Sequence, residues 1–96
     1  MQRTHDMLTL STTAKFRKDY RRMKKRGADL RLLPKVIDEL LAERPLAEKH
    51  RNHRLTGDYE GFWECHVQPD WLLVYYIERD KLVLTAARTG SHSDLF

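Results

Sequence analysis

The sequence has a single cysteine, no long apolar run and no leader-like start, and each absence excludes a class of protein. Because Cys65 is the only cysteine, an internal disulfide is impossible and a thiolate-rich zinc site is excluded. The longest unbroken apolar run is the seven residues 71–77, whereas a membrane-spanning helix needs about 20. Charged side chains interrupt the first ten residues, which is unlike a secretory signal peptide. We therefore expect a cytoplasmic protein that does not engage a membrane.

The chain is short, and its positive charge is concentrated in one segment. Its 96 residues suffice for a single domain, 1–96, with no room for a separate cofactor domain. The net charge is +4, yet residues 15–26 contain eight lysines or arginines and one acid, Asp19. A basic segment of this density attracts phosphates or an acidic protein partner. The residues that we predict to contact RNA phosphates are Lys15, Lys18, Arg21, Arg22 and Lys25.

The N-terminal part of the chain predicts a strand followed by a helix. Residues 7–10 alternate weakly and are long enough for a short first strand. Possible N-cap oxygens follow at Ser11, Thr12 and Thr13. Helical spacing of apolar side chains is then seen at Phe16, Tyr20 and Met23. Gly27 is a plausible end for this helix.

A second helix is predicted by the apolar spacing of the next segment. Its apolar face consists of Leu33, Val36, Ile37, Leu40 and Leu41. Pro34 fits this helix if the helix begins within one turn of it, and otherwise implies a kink. The Arg-Pro pair at 44–45 ends the helix.

The second half of the chain reads as a meander of strands. We predict strands over residues 54–59, 62–68, 71–77 and 81–88. Connections this short favour antiparallel neighbours. The expected fold is α+β, with a short N-terminal strand and two helices packed on one face of a mainly antiparallel sheet of four to five strands. The other face of that sheet is expected to be open to solvent or a ligand.

Side-chain alternation along one strand divides it into a polar and an apolar face. The polar set is Phe62, Glu64, His66 and Gln68. The apolar set, which we expect to face the helices, is Trp63, Cys65 and Val67. His66 should therefore lie on the open face.

Four further groups are predicted to approach His66 at one end of the sheet. His53 begins a strand, Asp70 lies in a turn, Arg88 ends the last strand and His92 follows it; of the five histidines, only His5 lies in the N-terminal segment. This combination suits RNA cleavage: His53, His66 or Asp70 would take the proton of the ribose 2′-OH, and His92 would protonate the leaving 5′ oxygen. Arg88 would stabilise the phosphorane.

Base stacking and metal binding are the other chemistries considered. Trp71 or Phe96 is predicted to stack on an unpaired base. His50 and His53 have a spacing of three residues, but no other ligand spacing supports zinc. We therefore expect no metal and no cofactor.

Two segments carry a resemblance to a known family. Residues 53–75, HRLTGDYEGFWECHVQPDWLLVY, and residues 88–96, RTGSHSDLF, resemble YafQ-type toxins of the RelE/ParE superfamily. The resemblance implies a RelE-like fold and a bacterial type II toxin that cleaves mRNA on the translating ribosome. It also implies a cognate antitoxin that silences the toxin, as a heterotetramer with an antitoxin dimer. Operator DNA would be contacted only through that antitoxin.

The resemblance assigns functional roles to particular positions. The family's functional residues correspond here to His53, His66, Asp70, His92 and Phe96, and Arg88 matches a recurrent basic position. Two positions next to the first histidine depart from the family, which often has aspartate where Asn52 stands and proline where Arg54 stands.

Two other functions are compatible with the same fold. One is a ParE-like toxin that inhibits DNA gyrase, which has no need of the histidine set. The other is a non-catalytic module that binds RNA or protein through residues 15–26, with salt-sensitive affinity and no turnover.

Overall fold

The computed structural model describes residues 7–96, so His5 lies outside the described part of the chain. The strands and main helices are β1 (Thr9–Thr12), α1 (Ala14–Lys25), α2 (Leu32–Leu41), β2 (His53–Arg54), β3 (Trp63–Gln68), β4 (Trp71–Glu78), β5 (Val83–Gly90) and α3 (His92–Leu95). Short 3-10 helices, Glu48–His50 and Gly57–Tyr59, flank β2. Over residues 7–96, no helix is long and apolar enough to cross a membrane.

The strands form one sheet in the order β1-β5-β4-β3-β2. β1 is parallel to β5, and the other neighbours are antiparallel. The tight turns between β3 and β4 and between β4 and β5 allow only antiparallel pairing. β5 can pair with β1 in parallel because the helices and the other strands lie between them in the chain. The architecture confirms the predicted α+β fold with a five-stranded, mainly antiparallel sheet.

α1 begins at a side-chain cap and ends before a glycine. Thr13 Oγ1 accepts the Phe16 N–H at 3.0 Å, which satisfies one of the free donors of the first turn. Ser11 and Thr12, also predicted as caps, belong instead to β1, which runs Thr9–Thr12 rather than over residues 7–10. Gly27 has a φ of +82°, which glycine adopts at little cost and which stops the helix.

Pro34 lies within the first turn of α2, so the helix needs no kink. α2 begins at Leu32, and the N–H groups of its first turn have no partner within the helix. The missing N–H of Pro34 therefore removes no helical hydrogen bond. α2 ends at Leu41, before the predicted stop. Its buried side chains are Leu33, Val36, Ile37 and Leu40.

The main core lies between these two helices and one face of the sheet. Phe16 and Met23 of α1 and the apolar face of α2 pack against alternate residues of β3, β4 and β5. The sheet residues of this core are Cys65, Val67, Trp71, Leu73, Tyr75, Leu84 and Ala86. Packing of both helices on this one face is as predicted, and so is the inward direction of Cys65 and Val67.

The opposite face is less open than the sequence predicts. Leu72 and Val74 on this face are fully buried, because Leu95 of α3 packs on them. The connection between β2 and β3 adds partly buried apolar side chains, which are Leu55, Tyr59 and Phe62. The expectation of an uncovered face is therefore wrong over β4, and the polar side chains are confined to the margins of this small second core.

Two predicted strands need correction, and one helix was not predicted. The strand predicted over 54–59 is reduced to His53–Arg54, because the chain then turns through the 3-10 helix Gly57–Tyr59. β5 covers Val83–Gly90 rather than 81–88, since the Leu82 N–H is engaged by the turn carbonyl of Arg79. α3 has no counterpart in the sequence prediction, since its four residues are too few to show a helical period.

Cys65 is fully buried, and burial raises the pKa of its thiol to about 12. We expect the thiol of the folded protein to resist thiol-reactive reagents at mildly alkaline pH, because the thiolate is the reacting species. Reaction with Ellman's reagent in native buffer and in guanidinium chloride measures this. One equivalent should react only after unfolding, and rapid stoichiometric reaction of the native protein would contradict the burial.

Candidate active site on the open face of the sheet

Two rows of paired residues cross the sheet and carry the predicted site. In the first row, His53 of β2 pairs with Glu64, which pairs with Val74, which pairs with Arg88 of β5. Neighbouring strands lie about 4.8 Å apart, so this row extends over roughly 14 Å. In the second row, His66 pairs with Leu72, which pairs with Gly90. The rows are two residues apart on β3, β4 and β5, so their side chains share one face.

Both histidines of β2 and β3 are held in the same tautomer. The Nδ1 atom of His53 lies 2.6 Å from the carbonyl oxygen of Arg51, and that of His66 lies 3.2 Å from the carbonyl oxygen of Pro69. A carbonyl oxygen only accepts, so Nδ1 carries the hydrogen in both neutral rings. The lone pair is therefore on Nε2, the nitrogen that a proton acceptor would use.

Glu64 lies between the two histidines, although the sequence did not single it out as a site residue. Its Oε1 lies 3.4 Å from Nε2 of His53 and 3.8 Å from Nε2 of His66. Glu64 is only 4% exposed, which is unusual for a carboxylate that has no salt bridge to a lysine or arginine among residues 7–96. The signal was present in the sequence, because a glutamate two residues before His66 in a strand shares its face.

Asn52 and Tyr75 fix the chain just before His53. The Tyr75 hydroxyl donates to Asn52 Oδ1 at 2.6 Å, and burial raises the pKa of Tyr75. Arg54 places its guanidinium over the ring of Trp63, 5.4 Å from the ring centre. The two departures from the family pattern therefore both make contacts with the sheet, Asn52 with β4 and Arg54 with β3.

His50 does not join His53. Its Nδ1 lies 2.6 Å from the carbonyl oxygen of His66, so the His50 ring anchors β3 through the backbone. Within residues 7–96, no group of three or more His, Cys, Asp or Glu side chains is arranged to hold a metal ion.

Arg88 is oriented by the buried carboxylate of Asp19. Nε of Arg88 donates to Oδ2 at 2.6 Å and Nη2 donates to Oδ1 at 3.2 Å, while Asp19 is 2% exposed. The same carboxylate accepts the backbone N–H of Thr89 at 3.1 Å. The hydrogen bond to Asp19 raises the pKa of Arg88. Arg88 is therefore a fixed cation at the end of the first row.

α3 is held by a capping box and by an ion pair. Ser91 and Asp94 form a capping box, and the Asp94 carboxylate accepts two hydrogen bonds from Arg26, at 2.6 and 2.8 Å. These bonds hold the pKa of Asp94 well below its usual range. Gly90 has a φ of +154°, and a Cβ there would lie 2.8 Å from Asp94 Oδ2. Gly90 has no side chain, which leaves room for the Asp94 carboxylate beside this turn.

Asp70 and His92 are joined through the backbone of α3. The His92 N–H donates to Asp70 Oδ1 at 3.1 Å. The His92 ring is exposed and lies 5.3 Å from the ring of Phe96. Phe96 is 54% exposed and also contacts Tyr59, with ring centres 5.2 Å apart. An exposed Phe96 agrees with a stacking role, which stays a prediction.

Trp71 does not lie where the sequence analysis expects it. It is 2% exposed and belongs to the core beneath α1 and α2, and its Nε1 donates to Thr89 Oγ1 at 2.8 Å. The prediction that Trp71 stacks on a base is therefore wrong, because alternation along β4 puts Trp71 on the same side as Leu73 and Tyr75, which belong to this core.

The five side chains predicted to contact RNA phosphates fall into two groups. Four of them are exposed to solvent, namely Lys15, Lys18, Arg21 and Lys25. Arg22 is half-buried and lies 3.4 Å from Asp19 and 3.7 Å from Asp94. Arg22 therefore connects the ion pair of Arg88 with that of Arg26, and is part of the scaffold of the site.

Solved structures share this fold along almost the whole chain. A metal-bound toxin from Helicobacter pylori is 49% identical, with a TM-score of 0.89 over 94% of this chain and all of that one (100%). The Escherichia coli DinJ-YafQ toxin-antitoxin complex contains a chain 32% identical, with a TM-score of 0.84 over 95% of this chain and 99% of that one. The fold is thus that of a small bacterial toxin.

Sequence comparison identifies the family. The family model described as a bacterial toxin of type II toxin-antitoxin system, YafQ, matches residues 8–96. The mRNA interferase toxin YafQ of Escherichia coli K12 is 35% identical over 85 residues, 88% of this chain and 90% of that protein. A putative toxin YafQ of Haemophilus influenzae is 32% identical over 91 residues, 90% of this chain and 89% of that one. This chain belongs to the YafQ family of type II toxin–antitoxin toxins, which confirms the resemblance.

The Arg26–Asp94 pair predicts an acid-sensitive contribution to stability. The pKa of Asp94 is depressed in the folded protein, so its contribution is present above its ordinary pKa of 3.8 and is lost as the pH falls. Asp94→Asn should lower the free energy of unfolding at neutral pH and flatten its decline in acid. Urea titrations followed by circular dichroism at several pH values measure both, and parallel declines in the two proteins would contradict the assignment.

Proposed function

We propose that this chain is an endoribonuclease that cleaves translated mRNA on the ribosome, in keeping with its relative named an mRNA interferase. The observation that carries the proposal is the pair of imidazoles, His53 and His66, with Nε2 atoms 3.4 and 3.8 Å from one oxygen of Glu64. Histidines exchange protons near neutral pH, and a buried carboxylate beside them stabilises the imidazolium that forms. This arrangement suits proton abstraction from a hydroxyl.

The reaction we infer is attack of a ribose 2′-OH on the adjacent phosphate. Nε2 of His53 or His66 takes the 2′ proton, the 2′ oxygen bonds to phosphorus, and the bond from phosphorus to the 5′ oxygen breaks. His92 gives a proton to the departing 5′ oxygen. The products are a 2′,3′-cyclic phosphate and a 5′-hydroxyl. Imidazoles supply both acid and base, so the proposed route uses no metal ion and no cofactor.

Arg88 is the proposed source of positive charge for the phosphorane. Asp19 engages its Nε and Nη2 atoms, so that Nη1 and the outer hydrogen of Nη2 are the donors for a phosphate oxygen. Because the guanidinium is already oriented, it needs no reorganisation when charge develops on the phosphate.

The exposed lysines and arginine of α1 are proposed to contact RNA phosphates. Lys15, Lys18, Arg21 and Lys25 lie on the helix whose inner side holds Asp19 and Arg22, next to the site. Phosphate contacts of this kind position a nucleic acid without reading its sequence. Phe96 is the proposed stacking partner for a base, a contact worth about 1–3 kcal/mol.

A cognate antitoxin is the proposed protein partner. The Escherichia coli complex joins YafQ to DinJ. By analogy we infer that an acidic or amphipathic antitoxin covers α1, the open face of the sheet, or both, in a cytoplasmic heterotetramer built on an antitoxin dimer. Operator DNA would be contacted only by the antitoxin.

Mapping of RNA 5′ ends after induction tests the reaction. Wild type should produce cuts at fixed positions within reading frames, with 5′-hydroxyl ends, and His92→Ala should reduce them by about 10²–10⁴-fold, the usual effect of a positioned acid. Asp80→Ala, in the turn at the far end of the sheet, is the control. Growth arrest that persists undiminished in His66→Ala and His92→Ala would instead favour inhibition of DNA gyrase. Cleaved ends with a 5′-phosphate would contradict the mechanism.

Glu64→Gln tests the part assigned to the buried carboxylate. Loss of one charge-assisted contact to an imidazolium should slow cleavage by about 10- to 100-fold. Rates of cleavage of an mRNA on purified ribosomes measure this. Glu78→Gln, a half-buried glutamate at the other end of the sheet, is the matched control and should cleave as wild type does. Equal rates for Glu64→Gln and wild type would remove Glu64 from the mechanism.

A further inference from the structure

The turn between β3 and β4 contacts both of the histidines proposed to move protons. The carbonyl oxygen of Pro69 accepts from Nδ1 of His66 at 3.2 Å, and the carboxylate of Asp70 accepts the backbone N–H of His92 at 3.1 Å. Two neighbouring residues of one turn thus hold the proposed base and the proposed acid. The β-bulge between His66 and Gln68 is the irregularity that precedes this turn.

α3 depends on such external contacts for its position. The helix has four residues, too few to be stable alone. Leu95 packs on Leu72 and Val74, Asp94 is held by Arg26, and the first N–H is held by Asp70. Of these contacts, the one from Asp70 acts on His92 itself.

We propose that Asp70 is a positioning residue that sets the place of His92 through the backbone of α3, and that it exchanges no proton during cleavage. The proposal rests on the proposed function, because it gives His92 the role of acid. It departs from the sequence-based expectation that Asp70 is itself one of the proton-transferring groups. Oδ1 of Asp70 is already occupied by the His92 N–H, and a hydrogen-bond acceptor is all that this contact requires.

Asparagine and alanine at this position separate the two roles. Asp70→Asn keeps an acceptor oxygen of the same shape but cannot take or give a proton, whereas Asp70→Ala removes the acceptor. We expect Asp70→Asn to cleave within about threefold of wild type with the same pH profile, and Asp70→Ala to lose roughly tenfold or more, the effect of one hydrogen bond to a charged group. In Asp70→Ala the maximal cleavage rate should fall, whereas the ribosome concentration that gives half of that rate should stay the same.

The experiment measures cleavage of an mRNA on purified ribosomes against pH and ribosome concentration. Hydrogen exchange of the His92 amide, followed by NMR on the free toxin, gives a second readout. Exchange should quicken in Asp70→Ala and stay slow in Asp70→Asn. Asp80→Ala is the matched control, since Asp80 is an exposed aspartate in the turn at the opposite end of the sheet.

Each result decides the matter. Loss of activity in Asp70→Asn equal to that in Asp70→Ala, with one limb of the pH profile gone, would show that Asp70 transfers a proton and overturn the proposal. If the wild type cleaves and Asp70→Ala is equally active, the role proposed for Asp70 is overturned while the proposed function stands. A wild type that cleaves nothing would overturn the proposed function as well. If Asp70→Ala fails to fold, the pH profile of Asp70→Asn still distinguishes the two roles.

Discussion

The buried carboxylate of Asp19 is the contact on which the rest of the site depends. β1 stops pairing with β5 after Thr12, and Asp19 takes over from it by accepting the Thr89 N–H. The same carboxylate orients Arg88, and loss of one partner of a buried pair costs about 3–5 kcal/mol. α1 is thereby fixed to the end of β5, from which α3 departs. The single acid of the basic segment is thus its structural anchor.

The arrangement separates a rigid frame from a site assembled on short connections. The frame is the sheet with its helices, and the ion pairs of Arg88, Arg22 and Arg26 extend from it to α3. The histidines proposed to move protons lie on the short β2, on β3 and on the short α3. Because few internal contacts define such short connections, specific hydrogen bonds to carbonyls and carboxylates must define the direction of each imidazole.

How far the sequence predicted this structure depends on the length of each pattern. α1, α2, β3 and β4 have several residues of clear period, and the structure gives them close to the predicted bounds. β2 and α3 have too few residues to show a period. The sequence therefore predicted β2 as much longer than it is and did not predict α3. Trp71 was predicted to meet a base, although alternation along β4 places it with Leu73 and Tyr75 in the core.

The sequence by itself determined which side chains of α1, α2 and β3 face the core, and that His66 lies on the opposite face. Alternation and helical spacing are local, so the chain carries that information directly. Only the tertiary structure decided that Glu64 faces both His53 and His66, that Asp70 holds α3, and that Asp19 holds Arg88. Those contacts join residues far apart in sequence or depend on ring orientation, which no local pattern specifies.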